Sequence, residues 1–383
     1  MTVTAAKGFR ACAVAAGLKS GGRLDVALVL NDGPEHAAAA VFTSNRVCAA
    51  PVVWSRQVVA DGRADAVVLN SGGANACTGP EGFADTHRTA EHVAEVCGLS
   101  SVDVAVCSTG LIGDRLPMNL LLAGVDAAAA GLSEDGGADA ATAIMTTDSV
   151  SKTAAVGGAG WTIGGMAKGA GMLAPGLATM LVVLTTDAQC SAAELDAALR
   201  AATRTSFDRL DSDGCMSTND TVLLLASGAS GIRPGPAEFA ERVAAVCLDL
   251  AMQLLRDAEG ASHDIAIEVV NAATEDEAVE VGRSVARSNL FKAAVFGNDP
   301  NWGRILAAVG TTGAAFDPTR LDVLFNGVAV CRDGGLGESR DKVDLTPRQV
   351  NVQIDLKTGP ASATVWTNDL THAYVHENSA YST

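Results

Sequence analysis

The amino-acid sequence predicts a mixed α/β fold. Two observations carry that prediction. Short runs rich in Val and Leu alternate with longer Ala-rich amphipathic stretches, as expected when strands and helices share one core. Glycine- and hydroxyl-rich segments follow several of the apolar runs, where a scaffold would end and a loop begin. In chain order, strands are expected at 26–30, 38–43, 66–69, 102–107, 179–185, 221–226, 265–271, 321–324, 350–356 and 362–367. Each is a run of β-branched and aliphatic residues bounded by turn formers. Helices are expected at 84–96, 118–130, 138–145, 192–204, 236–257, 275–285 and 302–309. Pro236 suits a first helical turn. Gly260, after Asp257-Ala258-Glu259, is a natural stop for that longest helix. Gly131, Gly136-Gly137, Gly157-Gly158 and Gly160 mark turns.

Composition narrows the function classes. The chain has 383 residues, 48% apolar and 4% aromatic, with 40 glycines. That length suggests two domains or one large one. The net charge of −17 argues against nucleic acid and against anionic membrane surfaces, both of which need clustered Lys and Arg. No apolar run approaches the ~18 residues of a membrane span. Lys7 and Arg10 precede an apolar stretch, Ala11–Leu18, that Lys19 cuts short without a clean cleavage site, so a cytoplasmic protein is expected. Nine scattered cysteines with no C-x-x-C favour neither a disulfide framework nor zinc. His372 and His376 have i, i+4 spacing, but Ala-Tyr-Val between them reads as extended chain, so no metal is expected.

Four polar segments carry the candidate chemistry: Asn70–Gly79, Ser108–Gly113, Met145–Asp148 and Gly164–Met172. Ordinary turn chemistry accounts for any one of them. A phosphate cradle lacks the Gly-Lys-Ser/Thr ending and a clean G-x-G-x-x-G. An oxyanion hole is the third reading, with a Thr109 hydroxyl and an unobstructed Gly110 N–H. No Gly-x-Ser-x-Gly elbow supplies a nucleophile. The scattered Cys and His residues give no local sign of a Cys–His pair, which only adjacency in space would create. The next candidate is a threonine activated by its own amine, and this requires a cut before it. Thr179, after the glycine loop, is such a residue, although alone it is an ordinary β-branched strand residue.

The set of motifs resembles the bifunctional ornithine acetyltransferase/glutamate N-acetyltransferase family of arginine biosynthesis. The resemblance runs nearly end to end. It includes Gly8-Phe9-Arg10, Ala40–Asn45, the Asn-Ser-Gly…Cys-Thr-Gly loop, Ser-Thr-Gly-Leu-Ile-Gly, Met-Thr-Thr-Asp, and Ala-Lys-Gly-Ala-Gly-Met leading into Ala178-Thr179-Met180-Leu181. Later come Asp213-Gly214…Ser217-Thr218-Asn219-Asp220, Phe296–Arg304 and Glu377–Thr383.

The resemblance implies an α/β sandwich with a smaller C-terminal α/β domain. It implies self-cleavage between Ala178 and Thr179 into an α chain, 1–178, and a β chain, 179–383, assembled as an α₂β₂ heterotetramer. Thr179 is then the nucleophile, and Thr109 and Gly110 form the oxyanion hole. Substrate contacts fall on Thr147 of the Thr146-Thr147 pair, Lys168, Thr179, Glu259, Asn378 and Thr383. The implied substrates are N²-acetylornithine, glutamate and ornithine, with acetyl-CoA as a further acetyl donor and no bound cofactor. An aminopeptidase or amidase using the same threonine, or a paralogous acetyltransferase of specialised metabolism, is the alternative. Four departures bear on preference: Gly73 for a larger polar residue, Cys215-Met216 within a polar pair, His263 for Lys, and Phe291-Lys292-Ala293 for Val-Lys-Thr.

Overall fold

A computed structural model of the chain describes residues 2–174 and 180–380. Fifteen strands in three sheets and ten helices lie among the described residues. The first sheet has the order β1-β2-β4-β5, with β1 Phe9–Val14, β2 Val26–Asn31, β4 Ala66–Asn70 and β5 Val104–Ser108. The second has the order β3-β9-β8-β7-β6, with β3 Ala37–Phe42, β6 Lys152–Gly157, β7 Thr162–Lys168, β8 Leu181–Thr186 and β9 Thr221–Ala226. The third has the order β13-β12-β11-β14-β10-β15, with β10 Asp264–Ala272, β11 Asp322–Phe325, β12 Val328–Arg332, β13 Gly335–Leu336, β14 Gln349–Asp355 and β15 Ala361–Asn368. All three sheets mix directions: β4/β5, β8/β9 and β10/β14 are parallel and the other pairs antiparallel.

The helices are α1 Ala50–Val58, α2 Gly79–Cys97, α3 Met118–Ala130, α4 Gly137–Ala143, α5 Ala192–Thr205, α6 Pro236–Arg256, α7 Glu275–Ala286, α8 Asn289–Phe296, α9 Trp302–Val309 and α10 His372–Ala380. None among the described residues is long and apolar enough to cross a membrane.

The second sheet explains why β8 is apolar at nearly every position. Leu181 and Val183 face a core shared with the first sheet and α2–α4, while Val182 and Leu184 face α5 and α6. A strand buried on both faces has no polar side to show. This sheet draws β3, β6 and β7 from before residue 178 and β8 and β9 from after it. A separate core joins the third sheet to α7–α9.

The structure corrects three local expectations. Gly164 to Lys168 is not a loop but most of β7. Its glycines are there because a Cβ on Gly164 would lie 2.3 Å from the Thr2 carbonyl oxygen, and one on Gly165 would lie 2.7 Å from Leu184 Cδ2. Residues 372–376 are helical, not extended, and open α10. The long helix α6 ends at Arg256 with Asp257 as its cap. Gly260 serves a different contact: at φ +61° it lets the backbone of α10 approach, and a Cβ there would lie 2.2 Å from the Tyr374 nitrogen.

Candidate active site

Strands β4 and β5 run parallel and stop side by side, so the two polar loops that follow them interlock. The Thr109 N–H donates to the Asn70 carbonyl (2.9 Å), and the Gly73 N–H donates to the Thr109 carbonyl (3.0 Å). Ser108 Oγ donates to Asn70 Oδ1 at 2.6 Å, and Asn219 Nδ2 donates to the Ser108 carbonyl at 2.6 Å. Gly110 sits at φ +130°, a conformation closed to other residues, and its missing Cβ would lie 2.8 Å from the Gly73 nitrogen. The Gly110 N–H donates to no described residue.

Lys168, the last residue of β7, reaches this turn from the second sheet. It is 1% exposed, and its Nζ donates to Thr109 Oγ1 (3.2 Å) and Thr146 Oγ1 (2.8 Å). An ammonium can only donate. Thr109 Oγ1 therefore accepts from Lys168, and its own hydrogen is free to point elsewhere. With the Gly110 N–H, this makes two donors beside a buried positive charge, the equipment that stabilises a developing oxyanion. Burial pushes the Lys168 ammonium below the ordinary lysine value, against the opposing pull of Asp148, Asp220 and Glu259.

Asp148 is the hub of the site. Its Oδ1 accepts from the Gly169 N–H (2.7 Å) and from Lys152 Nζ (2.6 Å), and its Oδ2 accepts from the Thr146 N–H (3.0 Å). Lys152 is itself buried and makes a second ion pair of 2.6 Å with Asp257 at the end of α6. Burial pushes the Asp148 carboxyl up, but Lys168, Lys152 and the Gly169 N–H outweigh it and hold it below the usual aspartate value. Asp257 also accepts from the Ser149 N–H at 3.0 Å. The Met145–Asp148 loop is thus clamped to β7 and α6 by charge.

Glu259 packs against the Ala170-Gly171 turn that follows Lys168. Its N–H donates to the Ala170 carbonyl (3.0 Å), and its carboxylate lies over Gly171, where a Cβ would be 2.6 Å from Oε1. Asn378 Nδ2 of α10 donates to Glu259 Oε2 at 3.0 Å. The structure therefore brings Thr109, Gly110 and Lys168 into one cluster, with Glu259 and Asn378 paired beside it. Within the threonine pair, Thr146 contacts Lys168, while Thr147 is half-buried and makes no hydrogen bond among the described residues. Ala178, Thr179 and Thr383 lie outside the described residues.

Three participants escaped the motif reading. Lys152 and Asp257 are 105 residues apart, and nothing in either local sequence announces the other. Asp220 closes a quoted motif, but its role appears only in space. Its Oδ1 accepts from the Met180 N–H at 3.0 Å, one peptide beyond Thr179. Its Oδ2 is buried beside the Thr43 and Ser217 hydroxyls, which already donate to the Ser217 carbonyl and to Asn219 Oδ1. Burial pushes its carboxyl well above the usual range, against Lys168 and those hydroxyls. The four sequence departures also find places. Gly73 lies under Gly110. Ser44 Oγ donates to Met216 Sδ at 3.3 Å. His263 bridges Asp369 Oδ2 (2.7 Å) and the Leu345 carbonyl (2.9 Å). Lys292 is buried, with its Nζ on the Ser212 carbonyl.

Comparison with known proteins gives a consistent result. The ArgJ family model matches residues 10–383. An arginine biosynthesis bifunctional protein ArgJ of Streptomyces coelicolor is 66% identical over 100% of both chains. The protein of the same name from Thermobifida fusca is 65% identical, again over 100% of both. Among solved structures, an ornithine acetyltransferase from Mycobacterium tuberculosis complexed with ornithine is 58% identical. That match covers 47% of this chain and 96% of the other, with a TM-score of 0.45. On sequence matches that span the whole chain, it belongs to the ArgJ family and is an acetyltransferase of arginine biosynthesis.

Proposed function

We propose that the chain cleaves itself before Thr179 and then carries acetyl from N²-acetylornithine to glutamate on the Thr179 hydroxyl. The observation that carries this reading is the Lys168–Thr109 hydrogen bond. It leaves the Thr109 hydroxyl hydrogen free beside Gly110, and Lys168 pairs in register with Leu181 of β8, two residues after Thr179.

In the cleavage step, Thr179 Oγ attacks the Ala178 carbonyl. The acyl group moves from nitrogen to oxygen, and water hydrolyses the ester to leave a carboxylate on Ala178 and a free amine on Thr179. In the transfer step, the amine, with an ordinary pKa near ~8, takes the Oγ proton as Oγ attacks the acetyl carbonyl. Thr109 and Gly110 hold the oxyanion. The proton passes to the departing nitrogen, and ornithine leaves acetyl-Thr179. The glutamate amine then attacks the ester in the reverse sense.

Lys168 supplies positive charge for the oxyanion and for the α-carboxylate that both substrates share, with Thr146 and Thr147 beside it. Glu259, held by Asn378, takes the ornithine ammonium, and Thr383 is a further substrate contact. Acetyl-CoA is a second donor that would form the same acetyl-Thr179, and the chemistry needs no bound cofactor. The two cleavage products remain together as an α₂β₂ assembly in the cytoplasm. Their interleaving in the second sheet supports a lasting association.

The test is a single-turnover experiment without acceptor. Acetylornithine should release one ornithine per site and leave an acetyl group on Thr179 that glutamate removes. Steady release of acetate with no dependence on glutamate would instead indicate an amidase and overturn the reading.

A further inference from the structure

A ping-pong enzyme of this kind presents one site to two side chains of opposite sign. Ornithine ends in an ammonium and glutamate in a carboxylate, at nearly the same reach from the α-carbon. A single negative group would favour ornithine and repel glutamate, so the subsite needs both signs.

A cavity of about 300 Å³ opens beside Glu259, between the Ser212–Gly214 segment, the α7–α8 junction, the end of β15 and α10. It has room for roughly ten waters at about 30 Å³ each, more than a four-atom side chain needs. Its charged lining is mixed: Glu259, Asp213 and Asp369 are acidic, the last already bonded to Ser262 and His263, and Lys292 and Arg287 are basic. Glu259 donates its N–H to the Ala170 carbonyl at 3.0 Å, two residues beyond Lys168, which ties this edge of the cavity to the oxyanion cluster.

The two cations are engaged differently. Arg287 Nε is committed to Asp211 at 2.8 Å. Lys292 is 7% exposed, donates to the neutral Ser212 carbonyl, and makes no ion pair among the described residues. Among the described residues, one of its three N–H groups is used. A buried ammonium with a neutral partner and two donors left is poised for an anionic ligand. Asp213 is less available than Glu259, because it already accepts from the Cys215 N–H (3.1 Å) and from the Met172 and Leu173 backbone.

We propose that this cavity is a side-chain subsite of both signs, in which Glu259 takes the ornithine ammonium and Lys292 takes the side-chain carboxylate of glutamate. The proposal rests on the acetyl-transfer reading above and assigns the acceptor's specificity within it.

The experiment separates the two half-reactions of the self-cleaved enzyme. Acetylornithine loads the acetyl-enzyme, and glutamate unloads it. Lys292→Met should raise the KM for glutamate at least tenfold with less than a threefold fall in kcat. Its loss should fall at least ten times harder on unloading than on loading. Lys292→Arg should recover most of the glutamate affinity. Glu259→Gln should show the opposite bias, with the greater loss in loading. A glutamate KM within threefold of the parent in Lys292→Met, or equal losses in both half-reactions, would overturn the subsite alone. Failure of the unsubstituted protein to form any acetyl-enzyme would overturn the transfer reading and the subsite with it. If Lys292→Met does not fold, the unsubstituted enzyme decides the matter through its acceptors. Glutamine, which keeps the shape and loses the charge, should be at least tenfold poorer than glutamate, and parity between them would overturn the proposal.

Discussion

Replacing Lys152 by Met is the most searching perturbation of the site's foundation. The Lys152 side chain is 0% exposed, and it holds Asp148 and Asp257 at 2.6 Å each, with those carboxylates 0% and 8% exposed. Methionine keeps nearly the same length and volume, so the packing change is small. What remains is two buried carboxylates, Asp148 and Asp257, that have lost the cation they shared. Breaking a buried pair by removing one partner costs about 3–5 kcal/mol. The sign of the pH dependence follows. Without the ammonium, Asp148 keeps Lys168 and the Gly169 N–H but loses part of what holds its folded-state pKa below the unfolded value. The variant's deficit should therefore be largest where Asp148 is ionised in both states and shrink as pH falls below about 4. Adding Asp257→Asn should recover part of the loss. Urea unfolding followed by circular dichroism at pH 7.5 and below about pH 4 reads all three effects. A Lys152→Met protein within about 1 kcal/mol of the parent at pH 7.5, or a deficit independent of pH, would refute the reasoning.

Three further outcomes follow from single contacts. Thr109→Ala removes one of two oxyanion donors and should slow both half-reactions by about 10²–10³-fold, read by rapid quench. Substituting Gly260 by Ala places a Cβ 2.2 Å from the Tyr374 nitrogen at φ +61°. It should cost about 1–3 kcal/mol and raise the KM for acetylornithine several-fold by moving Asn378 off Glu259. Asp211, pushed up to about 6 by burial despite Arg287, binds its proton more tightly when folded. Its stabilising contribution is complete below pH 4 and is lost as pH rises to 6, amounting to about 3 kcal/mol. The difference in unfolding free energy between the parent and Asp211→Asn should change by about that amount across pH 4–6, and a constant difference would contradict it.

What the sequence disclosed, and what it withheld, has physical causes. The strands β8 and β9 and the helices α5, α6 and α7 were legible because burial on both faces, or on one stripe, leaves a pattern along the chain. Ser191 and Glu194 even spell a complete capping box at the start of α5. Strand β7 was not legible, since its central glycines answer to Thr2 and Leu184, distant neighbours that no local window contains. Helix α10 has no buried residue. It is held by the Thr371 hydroxyl, which donates to the Gly260 carbonyl at 2.6 Å and accepts from the Tyr374 N–H at 2.9 Å. Within the site, Thr109, Gly110, Lys168 and Glu259 stand in recognisable motifs. Of the charges that support them Asp148 also closes a motif, but Lys152 and Asp257 do not, because they meet it only when β6, β7 and α6 pack.

The proposal that Thr179 becomes a chain terminus and carries the acetyl group is tested most directly by mass measurement of the denatured protein before and after acetylornithine. Two chains are predicted, the heavier beginning at Thr179 and gaining one acetyl group there, while Thr179→Ala stays whole and unmodified. An active preparation consisting of one uncut chain, or one acetylated at another residue, would contradict the account.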